Sequence, residues 1–505
     1  MTRARLPFLL VMAAVLVGAF VVERDQGRET APERAADTWR AAPLVAGDDV
    51  LGSAWFCAAG SSDPEGPADH TVVVANPGDA DREVTLTAFP GTSEPVSITL
   101  EVPAASLERV PLADLVEAPA VAALVETHGG GLTVTHELVG PLGTDAGPCA
   151  STTSDVWHFA WGDTSRDARA LVALFNPFPA DAVADFEFVT IDGVRRPTAL
   201  TGVVVPHQSV VVVDVGVEIA RRDQVSTTVT ARSGRLVVER LQLFDDSEEM
   251  LEGAEPRRGL TVGLGSPVPM ETWVFPGVRL VEGLQERVVV YNPADATAEV
   301  DVEFLPAGTA SAVEPFELSV PPRSYEVLDL HREARLGELF DELDAVEATV
   351  VVRSLNDVAV VAERVTIVPT SAEGPGVAAV TGIPLVGRQL VVVDPRPLGA
   401  DAASLVLWNP DPEELVTGTI TVVSRGTGRP LAQGGTFELA PQGRAAFDLV
   451  ARVSGAGTSV LIVEADRPIA GATVSRSSGP ADRHAAIAVV GAPDAVPSPS
   501  LLGAG

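Results

Sequence analysis

Lysine is absent from this chain of 505 residues, so every side-chain cation other than histidine is arginine. The 35 arginines face 69 acidic residues, and the net charge is -34. Such an acidic surface repels phosphate backbones and anionic headgroups, which argues against nucleic acid as a partner. Aromatic side chains are scarce, at 5%, and cores must therefore be built from Val, Leu, Ile and Ala. Support for long helices is equally thin, because dense Val with 45 Gly and 40 Pro favours short strands and tight turns. Catalytic signatures are missing too. No two histidines stand at i and i+4 on a helix, no Gly-x-Ser-x-Gly elbow exists, and no Gly-rich loop leads from a strand into a helix. No catalytic, cofactor-binding or metal-ligating residue is assigned, and the expectation is a protein that is not an enzyme.

What is present is a repeat. An apolar run ending in Asn-Pro occurs four times, at Asn76-Pro77, Asn176-Pro177, Asn292-Pro293 and Asn409-Pro410. The copies stand 100, 116 and 117 residues apart, the spacing of a small domain rather than of a solenoid or propeller unit. Proline removes a backbone donor and holds the residue before it extended, so each strand must stop there. Beyond each Asn-Pro the pattern alternates. Val84, Leu86 and Ala88, then Ala184, Phe186 and Phe188, then Val300, Val302 and Phe304 keep one spacing from their Asn, with polar residues between them. The fourth copy moves by one, to Ile420 and Val422, as a turn longer by one residue requires. One face of such a strand is buried and the other wet.

A second corner follows 30 to 34 residues past each Asn: Val102-Pro103 to Ser106, Val205-Pro206 to Ser209, Val320-Pro321 to Ser324, and Ala440-Pro441 to Gly443. Asp214, Asp329 and Asp448 come five residues later, placed to cap a turn or short helix. Each copy is expected to close with two apolar strands read as a hairpin, at Gly129 to Gly131, Ser233-Gly234, Asn356-Asp357 and Asp466 to Pro468. Trp55, Trp157 and Trp273 open the first three copies as core residues. The third copy adds a helix expected over 329–343.

These patterns predict an all-β chain: a tandem array of four immunoglobulin-like antiparallel β-sandwich domains after an N-terminal apolar signal or anchor helix. The divisions are 1–22 (signal peptide or signal anchor), 23–50 (linker), 51–150, 151–267, 268–385 with a helical excursion, 386–491, and 492–505 (disordered tail). Arg3 and Arg5 precede the uncharged run Leu6 to Val22. At about 1.5 Å per residue this run reaches about 25 Å, compatible with a cleaved secretory signal or with an uncleaved single pass, N-terminus inside. Either way the rest is extracytoplasmic, secreted or held at the cell membrane. Cys57 and Cys149 bracket the first copy and read as its one disulfide, worth about 4 to 5 kcal/mol on a chain-entropy account.

Three places hold residues of chemical interest. The histidines are scattered, and His136-Glu137 reads as an ordinary part of a strand. Acidic clusters at Asp245, Asp246, Glu248 and Glu249 and at Asp341, Glu342 and Asp344 read as solvated surface, or as calcium ligands if domain junctions bring them together. Trp161 and His158 lie in an aromatic stretch that reads as packing at the junction of the first and second domains, with sugar stacking as the alternative.

The N-terminal signal, the Trp55-x-Cys57 entry, the apolar-Asn-Pro strands and the Val-Pro-x-x-Ser corners together resemble the actinobacterial "large secreted protein" family, a domain of unknown function. The resemblance implies an envelope role beside glycosyltransferases and brings no catalytic residues. The expected function is a non-enzymatic cell-envelope scaffold or binding module, with an envelope protein or glycan as partner and the membrane engaged through the N-terminal helix. The alternatives are an accessory subunit of a membrane glycosyltransferase or export complex and, after that, a secreted enzyme.

Overall fold

The computed structural model describes residues 40–490, apart from 48–49, 92, 247–256, 309–312, 341–344, 369–375, 385, 395–400, 425–426, 432–434, 455–456, 477–481 and 484–486. The apolar run at 6–22 and the tail at 492–505 lie outside the described residues. Among those described, no helix is long and apolar enough to cross a membrane.

The chain is all-β, with antiparallel sheets in pairs. In the first unit, one sheet orders its strands Gly52–Cys57, Val121–His128, Arg82–Pro90 and Val96–Val102. The other orders Ser106–Pro111, Asp69–Asn76, Thr133–Gly140 and Gly143–Pro148. With strands numbered in chain order, that is 1-6-3-4 facing 5-2-7-8. The second and third units repeat it. In the fourth, the sixth and seventh strands are one continuous element, Val460–Arg476, which belongs to both sheets.

That topology corrects the expected closing hairpin. The sixth and seventh strands lie in opposite sheets, so Gly129 to Gly131 and its counterparts arch from one layer to the other. An arch and a hairpin need the same turn residues between the same apolar runs, and sequence does not separate them. The expected helix over 329–343 is interrupted at its start: a 3-10 turn at Leu330–Arg332 precedes a helix at Ala334–Phe340, and 341–344 lie outside the described residues. Nor is all of 23–50 a linker. Leu44–Val45 pairs in parallel with Ile487–Val490, and Ala46 accepts a hydrogen bond from Gly131.

The Asn-Pro sites explain why the repeat is so regular. Asn76 Nδ2 donates toward three carbonyls, Ala80 (2.8 Å), Val102 (3.0 Å) and Pro103 (3.2 Å), while its Oδ1 accepts from Gly78 N–H. Asn176, Asn292 and Asn409 do the same with their own copies' carbonyls. The side chain thus ties its own turn to the second proline corner. There, Ala105, Gln208, Arg323 and Gln442 all adopt positive φ, between 48° and 51°, and donate N–H back to the Asn-Pro turn. In the fourth copy the carbonyl is Glu414, five residues on instead of four, which is the longer turn expected there. The alternating residues after each Asn-Pro are buried as expected, from Val84 to Val422. Asp214 and Asp448 cap the turns that follow them, whereas Asp329 pairs with Arg287 at 2.8 Å.

The Asn-Pro strand itself is apolar on both faces, and packing shows why. Val72 and Val74 face their own core with Cys57 and Cys149, while Val73 and Ala75 pack on Val391, Val393 and Val423 of the fourth unit. In the second unit Ala173 and Phe175 share a core with Phe56 and Phe89 of the first, the Phe89–Phe175 centroids lying 5.1 Å apart. Tyr291 of the third donates to or accepts from Thr228 of the second at 2.9 Å. Trp408 of the fourth packs with Val274 and Val351 of the third. At every junction the 5-2-7-8 sheet of one unit covers the 1-6-3-4 sheet of the unit before it. A head-to-tail interface of this kind closes if its rotation permits, and here it does: the fourth unit meets the first, and the four units form a ring. The eighth strands, Gly143–Pro148, Arg258–Leu264, Gly376–Thr381 and Asp482–Arg483, lie against one another around its centre.

The expected disulfide is present between Cys57 and Cys149, 92 residues apart. Replacing both by Ser should lower the stability of the first unit by roughly 2–5 kcal/mol, read as an earlier urea transition under non-reducing conditions. Asn176→Ala should remove roughly 2–4 kcal/mol, because three carbonyls lose their donor. Its readout is an earlier thermal midpoint with new proteolytic cleavage near residues 178–181, and an unchanged melt would show that the carboxamide is dispensable.

Candidate functional site

Strand register defines equivalent positions at the four junctions. Ala75, Phe175, Tyr291 and Trp408, each one residue before its Asn, pair with Thr133, Val237, Val361 and Ala470 on the seventh strand. Two residues further on stand Thr135, Glu239, Glu363 and Ala472, and three further on stand His136, Arg240, Arg364 and Thr473. Neighbours on a strand point to opposite faces. The first set therefore reaches back to the preceding unit and the second set reaches forward.

Between the second and third units, Glu363 Oε1 accepts from Ala160 N–H at 2.8 Å and Oε2 from Arg240 Nη2 at 2.9 Å. Arg240 also donates to the Trp161 carbonyl and lies over the Trp161 and Phe159 rings, 5.1 Å and 5.4 Å from their centroids. Both charges are buried, and removing either partner would strand the other.

Between the first and second units the same place is held by Glu239, which accepts from Ala58 and Ala59 N–H at 3.0 Å and 2.7 Å. Opposite it stands His136, whose Nε2 is 3.6 Å from Glu239 Oε2. His136 Nδ1 meets His70 Nε2 at 3.1 Å, and His70 Nδ1 donates to the Val121 carbonyl at 3.0 Å. That last bond fixes the tautomers: His70 Nε2 accepts, and His136 Nδ1–H donates to it. Burial holds all three groups neutral. It pushes the Glu239 carboxyl up to about 8 and the His70 imidazole down to about 4, and burial with the neighbouring His70 lowers His136 well below its ordinary value.

The scattered histidines are thus not all scattered: two of them and a glutamate from the next unit form one cluster. His136 is a junction residue, a correction to its reading as an ordinary strand residue. The signal that could have shown it is a charged pair inside an apolar strand, Val-Val-Glu-Arg-Leu at 237–241 and Val-Ala-Glu-Arg-Val at 361–365.

Trp161 is buried and stacks on Phe244, 6.1 Å between centroids, within the core shared with the third unit. It packs at the junction of the second and third units, not the first and second, and no face is left for a sugar. Asp246 is held by Arg257 at 2.8 Å, with Asp163 on the same guanidinium at 2.7 Å. Asp245 is exposed, 3.6 Å from Arg258, while Glu248, Glu249, Asp341, Glu342 and Asp344 lie outside the described residues. Among the described residues no group of three or more His, Cys, Asp or Glu could hold a metal ion.

At the centre of the ring is a cavity of about 190 Å³, lined by all four units and by Ala41 to Pro43. Its walls are mostly Gly, Ala, Val and Pro backbone and side chains, with Asp145, Ser266, Arg364, Thr381 and Thr473 as the polar residues. Asp145 accepts from Thr261 Oγ1 at 2.7 Å and Val262 N–H at 2.9 Å.

The cluster at the first junction has a pH signature. Glu239 keeps its proton in the fold above the pH at which it would lose it unfolded, so its contribution is complete at acid pH and is lost as pH rises through about 8. The two histidines act the other way, and their contribution is lost as pH falls below their unfolded value. The melting temperature should therefore decline from about pH 6.5 to about 8 and level off above it, and Glu239→Gln, neutral throughout, should flatten that decline. An equal decline in the variant would remove Glu239 as its source.

No curated protein matches the chain. Two solved structures are similar to part of the chain. One is the crystal structure of Thermotoga maritima 1070 (18% identity, 23% of this chain, 94% of that one, TM-score 0.19). The other is the Anabaena sensory rhodopsin transducer (28% identity, 19% of this chain, 91% of that one, TM-score 0.16). A family described only as of unknown function, DUF5719, matches residues 131–239 and 256–502, and the chain belongs to that family.

Proposed function

We propose that the protein is a non-enzymatic scaffold or binding module of the cell envelope: four immunoglobulin-like sandwiches, exported and either secreted or held at the membrane by the N-terminal apolar run. The observation that carries this reading is how the junctions use their polar groups. The clustered titratable side chains, His70, His136, Glu239, Arg240 and Glu363, are buried between units and bonded to one another or to backbone. They hold the ring together and offer no open face to a substrate. A closed ring with a strongly acidic surface suits presentation of an outer face to a protein or glycan. The disulfide supports export, since such bonds persist in oxidising compartments.

Cross-linking the full-length protein in its native membrane, followed by identification of what is captured, tests the proposal. Capture of wall polymer or of a non-catalytic envelope protein is expected. Recovery of one integral membrane glycosyltransferase or transporter would make the protein an accessory subunit instead.

A further inference from the structure

The junction positions follow a rule that is broken once. His136 of the first unit faces Glu239 of the second, and Arg240 of the second faces Glu363 of the third. Between the fourth unit and the first, the equivalent residues are Thr473 and Thr135, neutral on both sides. Between the third and fourth, Arg364 has no such carboxylate: the position is Ala472. The central cavity lies there, with Arg364, Gly277, Ala472 and Thr473 in its wall. A carbon built on Gly277 would meet Val474 Cγ2 at 2.8 Å, with Ala472 Cβ at 3.9 Å and Arg364 Nη1 at 4.0 Å. Ala472 and the guanidinium line the same cavity, with Val474 beside them.

We propose that the central cavity binds a small monocarboxylic acid, whose carboxylate takes the place at Arg364 that Glu363 takes at Arg240. Arg364 is buried. Its Nη1 donates to the Gly277 carbonyl at 2.8 Å and its Nη2 to Thr366 Oγ1 at 3.2 Å. Each of these nitrogens carries two N–H groups, so one on each remains for a ligand. Glu286 lies 3.4 Å from Nε and balances the guanidinium from within the third unit. A ligand carboxylate adds hydrogen bonds on the Nη side, as Glu363 does for Arg240. Asp145, on the first unit's wall, already accepts from Thr261 and Val262, and it restricts the anionic end to the Arg364 side. Apart from Ser266, Thr381 and Thr473, the remaining lining is apolar. A cavity of about 150 Å³ accepts benzene, so about 190 Å³ suits a carboxylate carried on a body the size of one aromatic ring.

Isothermal titration of the full-length protein with benzoate, and with the neutral benzamide of the same shape, is the test. Saturable benzoate binding is expected, with benzamide weaker by about tenfold or more, because a charge-assisted bond to arginine is lost. In Ala472→Glu the chain supplies its own carboxylate, and benzoate binding should disappear from a protein that still melts cooperatively. Equal binding of the two probes, no saturable binding of benzoate, or undiminished binding in folded Ala472→Glu would each overturn the assignment. The comparison of probes on the unmodified protein decides the matter even if the variant does not fold.

Discussion

The structure depends on the burial of the Asn-Pro strand on both faces. A strand at the middle of a sandwich ordinarily has one face for the core and one for water. Here the second face is covered by the preceding unit, and the residues at alternate positions, such as Val73, Ala173, Tyr291 and Trp408, are junction residues. The strand cannot shift by one residue without exchanging its core set for its junction set. The Asn carboxamide fixes that register from one end by binding three carbonyls of its own unit. One side chain thereby sets the internal geometry of each sandwich and the surface it offers to the next.

Ring closure follows from repeating one asymmetric interface. Because the 5-2-7-8 sheet always covers the 1-6-3-4 sheet of the unit before, each unit has one donor face and one acceptor face, and four units leave no face over. The apolar content of the junctions is shared among all four, but their polar content differs: neutral His–His–Glu, charged Arg–Glu, an arginine balanced within its own unit, and two threonines. The closing junction adds a polar clasp of its own, in which Arg109 binds Asp394 at 2.5 Å and the Gly457 carbonyl. With different chemistry at each seam, a unit is matched to its own neighbours and not to any other copy.

Much of this was legible in the sequence, and the limits have physical causes. The Asn-Pro runs, their alternating successors, the proline corners and the Cys57–Cys149 bond are local or compositional signals, and the structure bears them out. Arch and hairpin share turn residues, so the residues between the closing strands do not say which of the two joins them. His70 and His136 are 66 residues apart and Glu239 belongs to another unit, so only the packing of one sandwich on the next brings them together. Continuous apolar character in Val288 to Tyr291 was a visible sign of two-sided burial, but it does not say which neighbour covers the second face. For the same reason the sequence around Trp161 shows a packed aromatic but not which junction it fills.

The parallel pairing of Leu44–Val45 with Ile487–Val490 puts the beginning and the end of the described chain side by side. A ring made from one polypeptide has one junction that no chain connection crosses, and here the two ends of the described chain are paired next to one another. Tension applied between those two ends would load this short parallel pair before it reached the sandwiches. A chain held at its N-terminal side alone would instead carry the whole ring as one undivided load.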